Sequence, residues 1–250
     1  MKKKLLAMVL AAATAMTMLA GCGGDDKAAG TKDNKEASAD AGEKKEESKE
    51  LDKVKVAYMP NYASLWVVTT AREKGFFEEE GIEVELTKFD DGPTEIAAME
   101  SGSMDVAYIG PGAHTLAIQG NVDVFCFQQL GDADCVMGLK SHGVNSLEDL
   151  KGKKVAYASG TSSETILLRA LNSVGLTMDD IEPYNMEVTN MPSAMISGSI
   201  DACAPWSPNT KVITDELGDD AQIFVSNADF SDIAADPASW VDRKSTRLNS

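Results

Sequence analysis

The sequence predicts an α/β fold built from two lobes of like design that face each other. Short apolar runs alternate with helical stretches from Val54 to Val225, and this alternation is typical of α/β domains with a largely parallel sheet. Two segments of the chain also recur later at one long interval. That interval is far longer than a solenoid unit, so it indicates two lobes rather than an array of small repeats.

The repeat has two parts. The tripeptide Val56–Tyr58 recurs as Val155–Tyr157, which is 99 residues later. The segment Met99–Asp105 (MESGSMD) recurs as Met195–Asp201 (MISGSID), which is 96 residues later. Because both parts recur at nearly the same interval, we expect each lobe to contain a strand, a helix, a Gly-Ser turn and a further strand in the same order.

The elements of the first lobe follow from apolar periodicity and from the residues that interrupt it. Pro60 and Asn61 turn the chain out of the first strand, and Gly75 suits the C-terminal cap of the first helix. Pro93 suits the first turn of the next helix. The predicted elements are a strand Val54–Tyr58, a helix from about Leu65 to Lys74, a strand Ile82–Leu86, a helix Pro93–Ser101, a strand Val106–Ile109, a helix Ala113–Gln119 and a strand Val122–Phe127.

The second lobe begins with the repeated strand and a loop rich in hydroxyl groups. Thr161 and Glu164 have the spacing of a capping box, so Thr161 is the predicted N-cap of the following helix. The apolar face of that helix consists of Ile166, Leu167, Ala170, Leu171 and Val174. Gly175 is expected to close it.

The N-terminus has the layout of a signal peptide, residues 1–21. Lys2–Lys4 precede the apolar run Leu5–Ala20, which is shorter than the roughly 20 residues that a membrane-spanning helix needs. Leu19–Cys22 resembles the bacterial lipobox, so Cys22 is predicted to carry the lipid that anchors an extracytoplasmic protein to the cell membrane.

The remaining domain boundaries follow from composition. Residues 22–52 contain no aromatic residue and are predicted to form a disordered linker. Residues 53–136 are assigned to lobe 1, and residues 137–241 to lobe 2 and the start of a return to lobe 1. Residues 242–250 (DRKSTRLNS) resemble the translation of a common sequencing adapter. We therefore expect the natural sequence to be represented only as far as about Val241.

Charge and cysteine usage exclude several classes of function. The net charge of −17 becomes −22 without Lys2–Lys4 and without the tail, which carries +2, so nucleic acid is not expected as a partner. Besides Cys22, the cysteines are Cys126, Cys135 and Cys203. They allow at most one disulfide, between the first two, and unpaired thiols are favoured. They lack zinc-site spacing, and neither a cofactor nor a metal is expected.

The sequence also lacks the motifs that would mark an enzyme. It contains no nucleophile elbow, no Walker pattern and no dinucleotide-binding glycine motif. His114 and His142 are its only histidines, and His114 is expected to cap or pack within its loop. No catalytic residue is therefore predicted.

Small-molecule ligands bind beyond the carboxyl ends of parallel strands, so the loops there are the candidate site. Four loops qualify, namely Pro60–Trp66, Gly110–His114, Ser159–Ser163 and Pro205–Asn209. The predicted ligand-binding residues are Asn61, Tyr62, Ser64, Trp66, Gly110, Pro111, Gly112, Gln128, Gly160, Thr161, Ser162, Ser163 and Trp206. The aromatic members suit apolar walls, and the polar members suit hydrogen bonds to a ligand.

The charge of the ligand stays open at this stage. The helix start at Thr161 is suited to an anionic or polar head group, although its hydroxyls could equally serve only as caps. Glu164 already places a carboxylate near that helix start. Asp132 and Asp134 could meet an amine. A simple anion and an uncharged or amphoteric heterocycle are therefore both possible ligands.

Five stretches resemble the nitrate/taurine/sulfonate branch of the solute-binding proteins of ABC importers, a branch that includes relatives binding thiamine-precursor pyrimidines. They are Arg72–Leu86, the MESGSMDVAYIG segment, Ser146–Tyr157, Gly160–Leu171 and Ala194–Pro208. The resemblance implies a type II periplasmic-binding-protein fold, a small-molecule ligand held between the lobes and an ABC permease as partner. It also implies that the return to lobe 1 lies beyond Val241, so that the chain as written would expose apolar surface and aggregate. A secreted enzyme and a surface adhesin are the alternatives.

Overall fold

The computed structural model describes residues 51–232 and 236–243. The predicted signal peptide, Cys22 and almost all of the predicted linker lie outside the described residues, as do residues 244–250. Among the described residues, no helix is both long enough and apolar enough to cross a membrane.

The described residues form ten strands and seven α-helices, joined by short turns of 3₁₀-helix. The strands are β1 (Asp52–Tyr58), β2 (Ile82–Lys88), β3 (Val106–Ile109), β4 (Val122–Leu130), β5 (Cys135–Leu139), β6 (Lys154–Tyr157), β7 (Glu182–Asn185), β8 (Ala202–Cys203), β9 (Ala221–Ser226) and β10 (Pro237–Arg243). The helices are α1 (Tyr62–Glu73), α2 (Phe76–Glu79), α3 (Gly92–Glu100), α4 (His114–Ile118), α5 (Ser162–Ser173), α6 (Met191–Ile196) and α7 (Asn209–Leu217).

The strands make two five-stranded sheets, one for each lobe. Their orders are β2-β1-β3-β10-β4 in lobe 1 and β7-β6-β8-β5-β9 in lobe 2. In each sheet the first three strands are parallel and the last two are antiparallel to their neighbours. The predictions of two α/β lobes of like design and of a largely parallel sheet are therefore confirmed, because only the fourth strand of each sheet runs opposite to the other four.

The antiparallel strands arise because the chain crosses between the lobes twice. β5 is the first strand after the crossing that follows Leu130, and β10 is the first after the crossing that follows Phe230. Each occupies the fourth position of its sheet. The sequence resemblance places the return to lobe 1 beyond Val241, but β10 already begins at Pro237. It ends with Asp242 and Arg243, which the sequence analysis assigns to the non-native tail.

The internal repeat reflects the same turn in each lobe. Asp105 accepts a hydrogen bond from the backbone N–H of Lys55 at 3.0 Å, and Asp201 accepts one from Lys154 at 2.8 Å. Both carboxylates thereby hold the start of a central strand against the turn that precedes its neighbour. Met99 and Met195 are almost fully buried, as core residues.

The three cysteines within the described residues are free thiols, as the sequence favours. Cys126 is exposed on β4, whereas Cys135 and Cys203 are buried. Burial raises the pKa of Cys135 to about 11 and raises that of Cys203 as well. Both buried thiols therefore stay protonated and behave as small apolar side chains.

Candidate functional site

A cavity of about 290 Å³ lies between the two sheets, at the carboxyl ends of their parallel strands. This size is near the lower end of the range, roughly 300–1,000 Å³, that small-molecule pockets occupy. Its lining residues are Met59, Asn61, Tyr62, Ala63, Gly92, Pro93, Tyr108, Gly110, Pro111, Ala113, Gln129, Gly131, Asp132, Ala133, Asp134, Thr161, Ser162, Trp206, Ser207 and Ala238.

All four loops proposed from the sequence contribute to this cavity. Seven of the predicted ligand-binding residues line it, namely Asn61, Tyr62, Gly110, Pro111, Thr161, Ser162 and Trp206. Six do not, namely Ser64, Trp66, Gly112, Gln128, Gly160 and Ser163. The structure therefore separates a group at the cavity wall from a group that supports the wall from behind.

The supporting residues in lobe 1 hold the loop that follows β1. Ser64 is fully buried, and its hydroxyl donates to the carbonyl of Met59 at 2.8 Å. Gln128 donates to the carbonyl of Ala63 at 2.7 Å and accepts from the indole N–H of Trp240 at 2.6 Å. Both side chains are thus committed to protein partners.

Aromatic rings form part of the cavity wall. Tyr62 stacks on Trp66 with 6.1 Å between ring centroids and 10° between planes. Tyr62 is 80% exposed, so the stack holds a largely free ring at the cavity. Tyr108 meets Trp240 edge-on at 5.5 Å.

The start of α5 is held by its own hydroxyl groups. Thr161 is the N-cap, as predicted, and accepts from the N–H of Ser163 at 3.2 Å. Its hydroxyl donates to the carbonyl of Ala158, and that of Ser163 donates to the carbonyl of Ala204. Both side chains therefore fix the loop rather than pointing free donors into the cavity.

Glu164 reaches one residue further back than a capping box requires. Its carboxylate accepts from the N–H of Gly160 at 2.7 Å and from the hydroxyl of Ser159 at 3.3 Å. A carboxylate of the protein thus occupies donors at the helix start that the sequence analysis considered for an anionic ligand.

Asp134 is an ionisable group on the cavity wall whose pKa is raised by burial. It is 4% exposed, and the hydroxyl of Ser162 donates to its Oδ1 at 2.6 Å. Burial raises the pKa of Asp134 to about 6, although hydrogen bonds with Ser162 and Asn227 partly offset that rise. Asp236 raises this pKa further, and Arg169 lowers it.

The cavity wall carries negative but no positive side chains. Asp132 and Asp134 are its charged residues, and it includes no Lys, Arg or His among the described residues that line it. Tyr108 has a pKa raised to about 12 by burial and by the nearby charges of Asp134 and Glu95. His114 is the first residue of α4, and its ring nitrogens meet the Gly110 carbonyl at 3.0 Å and the Ser239 hydroxyl at 3.1 Å.

The backbones of the two lobes lie close together at Gly112 and Thr161. A Cβ atom added to Gly112 would overlap the backbone carbonyl of Thr161 and lie 2.6 Å from the N of Ser162. Gly112 belongs to the loop after β3 in lobe 1, and Thr161 caps α5 in lobe 2. The absence of a side chain at Gly112 therefore lets the backbones of the two lobes meet beside the cavity.

Several lining residues were not identified from the sequence. Gly92 and Pro93 open α3 beside the cavity, and Ala238 reaches it from β10. The loop after β2 also follows the carboxyl end of a parallel strand, so the rule that selected the other four loops applies to it as well. Nothing in the sequence pattern places Ala238, because it reaches the cavity only through the second crossing between the lobes.

The described part of the chain contains no group of three or more His, Cys, Asp or Glu side chains that could hold a metal ion. Its cavity also places no thiol or imidazole beside a hydroxyl nucleophile. What the arrangement can do chemically is enclose a small solute and contact it with aromatic faces, hydroxyls and carboxylates.

The chain is similar to known proteins over most of its described length. The family model described as NMT1/THI5 like matches residues 63–233. A putative binding protein of Brucella abortus (strain 2308) is 32% identical over 190 residues, which are 76% of this chain and 59% of that protein. The putative aliphatic sulfonates-binding protein of Bacillus subtilis (strain 168) is 28% identical over 236 residues, 90% of this chain and 62% of that protein. The chain thus spans less than two thirds of either relative.

Solved structures show the same architecture. The alkanesulfonate-binding protein SsuA from Xanthomonas axonopodis pv. citri, bound to MOPS, matches with a TM-score of 0.66 and 21% identity. The match covers 80% of this chain and 68% of that one. At this identity the likeness shows the fold alone, and it confirms the type II periplasmic-binding-protein fold that the sequence resemblance implies.

Proposed function

Since the chain belongs to the NMT1/THI5-like family, we propose that it is the solute-binding protein of an ABC importer, which captures a small molecule outside the cytoplasm and delivers it to a permease. The observation that carries this proposal is a cavity on which loops from both lobes converge. Closure of two lobes around such a cavity sequesters a solute and creates a shape that a permease can recognise. The binding role is favoured over an enzymatic one because the relatives are described as binding proteins.

We also propose that Cys22 carries a lipid that holds the protein at the outer face of the cell membrane. The support is the lipobox-like sequence Leu19–Cys22 directly after the apolar run. Two acyl chains on one residue would give stable anchoring. A Cys22→Ala variant should be released into the soluble fraction, and retention of that variant in the membrane would contradict the anchor.

The solute belongs to one of two classes. The names of relatives and structural neighbours point to small oxyanions such as aliphatic sulfonates or nitrate, and to the zwitterionic sulfonate taurine. An uncharged or basic heterocycle, such as a thiamine-precursor pyrimidine, is the second candidate, favoured by the two aspartates on the cavity wall.

Thermal unfolding of the whole chain, purified in detergent, tests the binding role. A solute at about a hundred times its dissociation constant adds about 2.7 kcal/mol to stability. We expect one solute of a panel of sulfonates, taurine, nitrate and pyrimidines to raise the unfolding temperature. Trp206→Ala, at the cavity wall, should abolish the rise, whereas Leu168→Ala on the exposed side of α5 should leave it unchanged. No stabilisation by any solute, or chemical turnover of one, would overturn the proposal.

A further inference from the structure

We propose that the solute is a small nitrogen base, an amine, amidine or amino-substituted ring that presents N–H donors, and that Asp134 is the residue that recognises it. This inference rests on the proposed function and names the chemical class of its solute. It departs from the anions that the relatives' descriptions suggest.

The first argument is the sign of the charges at the cavity. Asp132 and Asp134 line it, and no cationic side chain lines it among the described residues. An oxyanion bound there would lose its hydration while facing carboxylates and no compensating positive charge. A protonated nitrogen base would instead gain an ion pair with a desolvated carboxylate.

The second argument is that the hydroxyls of the loop before α5 already have acceptors. Their partners are protein groups: Ser159 donates to Glu164, Thr161 to the carbonyl of Ala158, Ser162 to Asp134, and Ser163 to the carbonyl of Ala204. Oxyanions need several free donors at a helix start. Here the protein's own carboxylates, those of Asp134 and Glu164, take the place that such an anion would occupy.

The third argument is that the nearest cation is paired elsewhere. The guanidinium of Arg169 binds Asp236 at 2.7 Å, and the amide of Asn227 donates to the same carboxylate at 2.9 Å. Asn227 also accepts from the backbone N–H of Asp134 at 2.8 Å and so fixes this residue in place. Asp134 is therefore held in place, and no cation among the described residues forms an ion pair with it.

The fourth argument is the chemistry of the remaining wall. Tyr62 and Trp206 line the cavity, and aromatic faces attract cations and stack on flat rings. A cavity with one buried carboxylate and aromatic rings suits a small ring that carries an amino or amidine group. Most of such a ligand is apolar, and its N–H groups meet Asp134.

The test uses two probes that share a benzene ring but carry opposite charge, benzamidine and benzenesulfonate. Their binding to the whole chain in detergent is measured at pH 8 by isothermal titration calorimetry. We expect benzamidine to bind at least tenfold more tightly. Asp134→Asn should weaken benzamidine at least tenfold, whereas Asp179→Asn, which removes the same charge from an exposed position, should change nothing.

The other outcomes separate this inference from the proposed function. Tighter binding of benzenesulfonate or nitrate than of benzamidine would overturn the inference and leave the importer role intact. Failure of every probe and solute to bind would overturn both. Equal weakening by Asp134→Asn and Asp179→Asn would also overturn the role of Asp134. The comparison of the two probes needs no variant, so it remains decisive even if Asp134→Asn does not fold.

Discussion

Two buried carboxyl groups, Glu95 and Asp134, act electrostatically on the same tyrosine, Tyr108. Asp134 accepts a hydrogen bond from Ser162, whereas both side-chain oxygens of Glu95 are buried without a hydrogen-bond partner in the described part of the chain. An unpartnered charge in such a place is far more costly than a neutral acid. Burial therefore favours the neutral acid form of Glu95, so the folded protein holds this proton more tightly than the unfolded chain does.

Replacing Glu95 with glutamine should stabilise the protein at alkaline pH. Burial, with a smaller contribution from Asp91, raises the pKa of Glu95 well above its ordinary value of 4.5. At pH values between the ordinary pKa and the raised pKa of Glu95, the folded state binds more protons than the unfolded state. The free energy of unfolding therefore falls as pH rises, by up to about 1.4 kcal/mol per pH unit. The amide of glutamine does not titrate in this range, so the variant lacks this pH dependence. Urea unfolding should therefore show Glu95→Gln to be more stable than the parent at pH 8 and similar to it at pH 4.

The control for this prediction is Glu79→Gln, an exposed glutamate of α2. It should leave the pH dependence of stability unchanged. If Glu95→Gln followed the parent at every pH, the carboxyl group would have to be ionised within the fold.

Asp134 should make binding of a nitrogen base depend on pH. Its pKa of about 6 means that the carboxylate is ionised above pH 6 and becomes neutral below it. The ionisable groups around it are Arg169 and Asp236, which pair with each other, together with Tyr108 and Cys135, which stay protonated in this range. Titration calorimetry should show benzamidine affinity falling as pH drops from 8 to 5, and a flat profile in Asp134→Asn. A flat profile in the parent protein would contradict the assignment.

The sequence predicts some of these residues and not others, for physical reasons. Thr161 could be identified because a capping box is a local pattern that acts within one turn of helix. Asp134 could be suspected as a carboxylate near the cleft, but its burial depends on Asn227, which is 93 residues away in the chain. Trp66 was expected at the ligand, yet it stacks behind Tyr62 because the two are four residues apart on α1.

At the scale of elements, local sequence patterns locate most helices and strands, and tertiary contacts set their ends. β3 has the predicted bounds, Val106–Ile109. α1 begins at Tyr62 instead of about Leu65, because Asn61 caps the helix by accepting from the N–H of Ser64 at 2.9 Å. β4 runs three residues past its predicted end, to Leu130, since β10 pairs with it along its whole length. The second crossing supplies that partner, and no local pattern reveals it.

The Gly-Ser turn of lobe 2 should depend on Asp201. Its carboxylate accepts from the N–H of Lys154 at 2.8 Å and pairs with Nδ1 of His142 at 2.8 Å. Asp201→Ala leaves the N–H and the imidazole without this acceptor, so we expect a loss of about 1–3 kcal/mol in the free energy of unfolding. Asp179→Ala, at an exposed position, should cost much less. If the parent protein and Asp201→Ala had equal unfolding midpoints in urea, the repeated aspartate would have no structural role.

β4 should cause self-association. It is an edge strand of the lobe 1 sheet, and Val124, Phe125, Phe127 and Leu130 on it are all 44% exposed or more. An exposed apolar edge strand is a template for pairing with another chain. Phe125→Ser with Phe127→Ser should therefore lower light scattering of the whole chain in solution. Leu168→Ser in lobe 2 should not, and unchanged scattering in the double variant would show that association occurs elsewhere.

At the scale of the whole molecule, the two lobes are variations on one arrangement. In each lobe, the first three strands of the sheet are parallel and lie in the same spatial order. The fourth place is taken by the first strand that follows a crossing from the other lobe. The repeat predicted the two lobes because it is carried by residues that fix turns, such as Asp105 and Asp201. It could not predict the crossings, because a repeat encodes the order of elements within each lobe and not the path between lobes.

This arrangement makes closure of the cavity depend on Gly112. The backbone of Gly112 lies against that of Thr161 in the other lobe, and a Cβ atom at Gly112 has no room there. Gly112→Ala should hold the lobes apart without disturbing either core, because no buried core residue changes. Solute affinity should therefore fall at least tenfold while the unfolding temperature without solute stays within a few degrees. Leu168→Ala, on the exposed side of α5 and outside the cavity lining, is the control and should leave solute affinity unchanged.

Small-angle scattering distinguishes a block to closure of the two lobes from a local defect in the loop that contains Gly112. Addition of a bound solute should shrink the radius of gyration of the parent protein and of Leu168→Ala, because ligand contacts in both lobes favour the closed form. The same addition should leave Gly112→Ala extended. If Gly112→Ala closed as the parent does, the tight approach of the two backbones would not be part of the closed form, and Gly112 would serve only the local path of its loop.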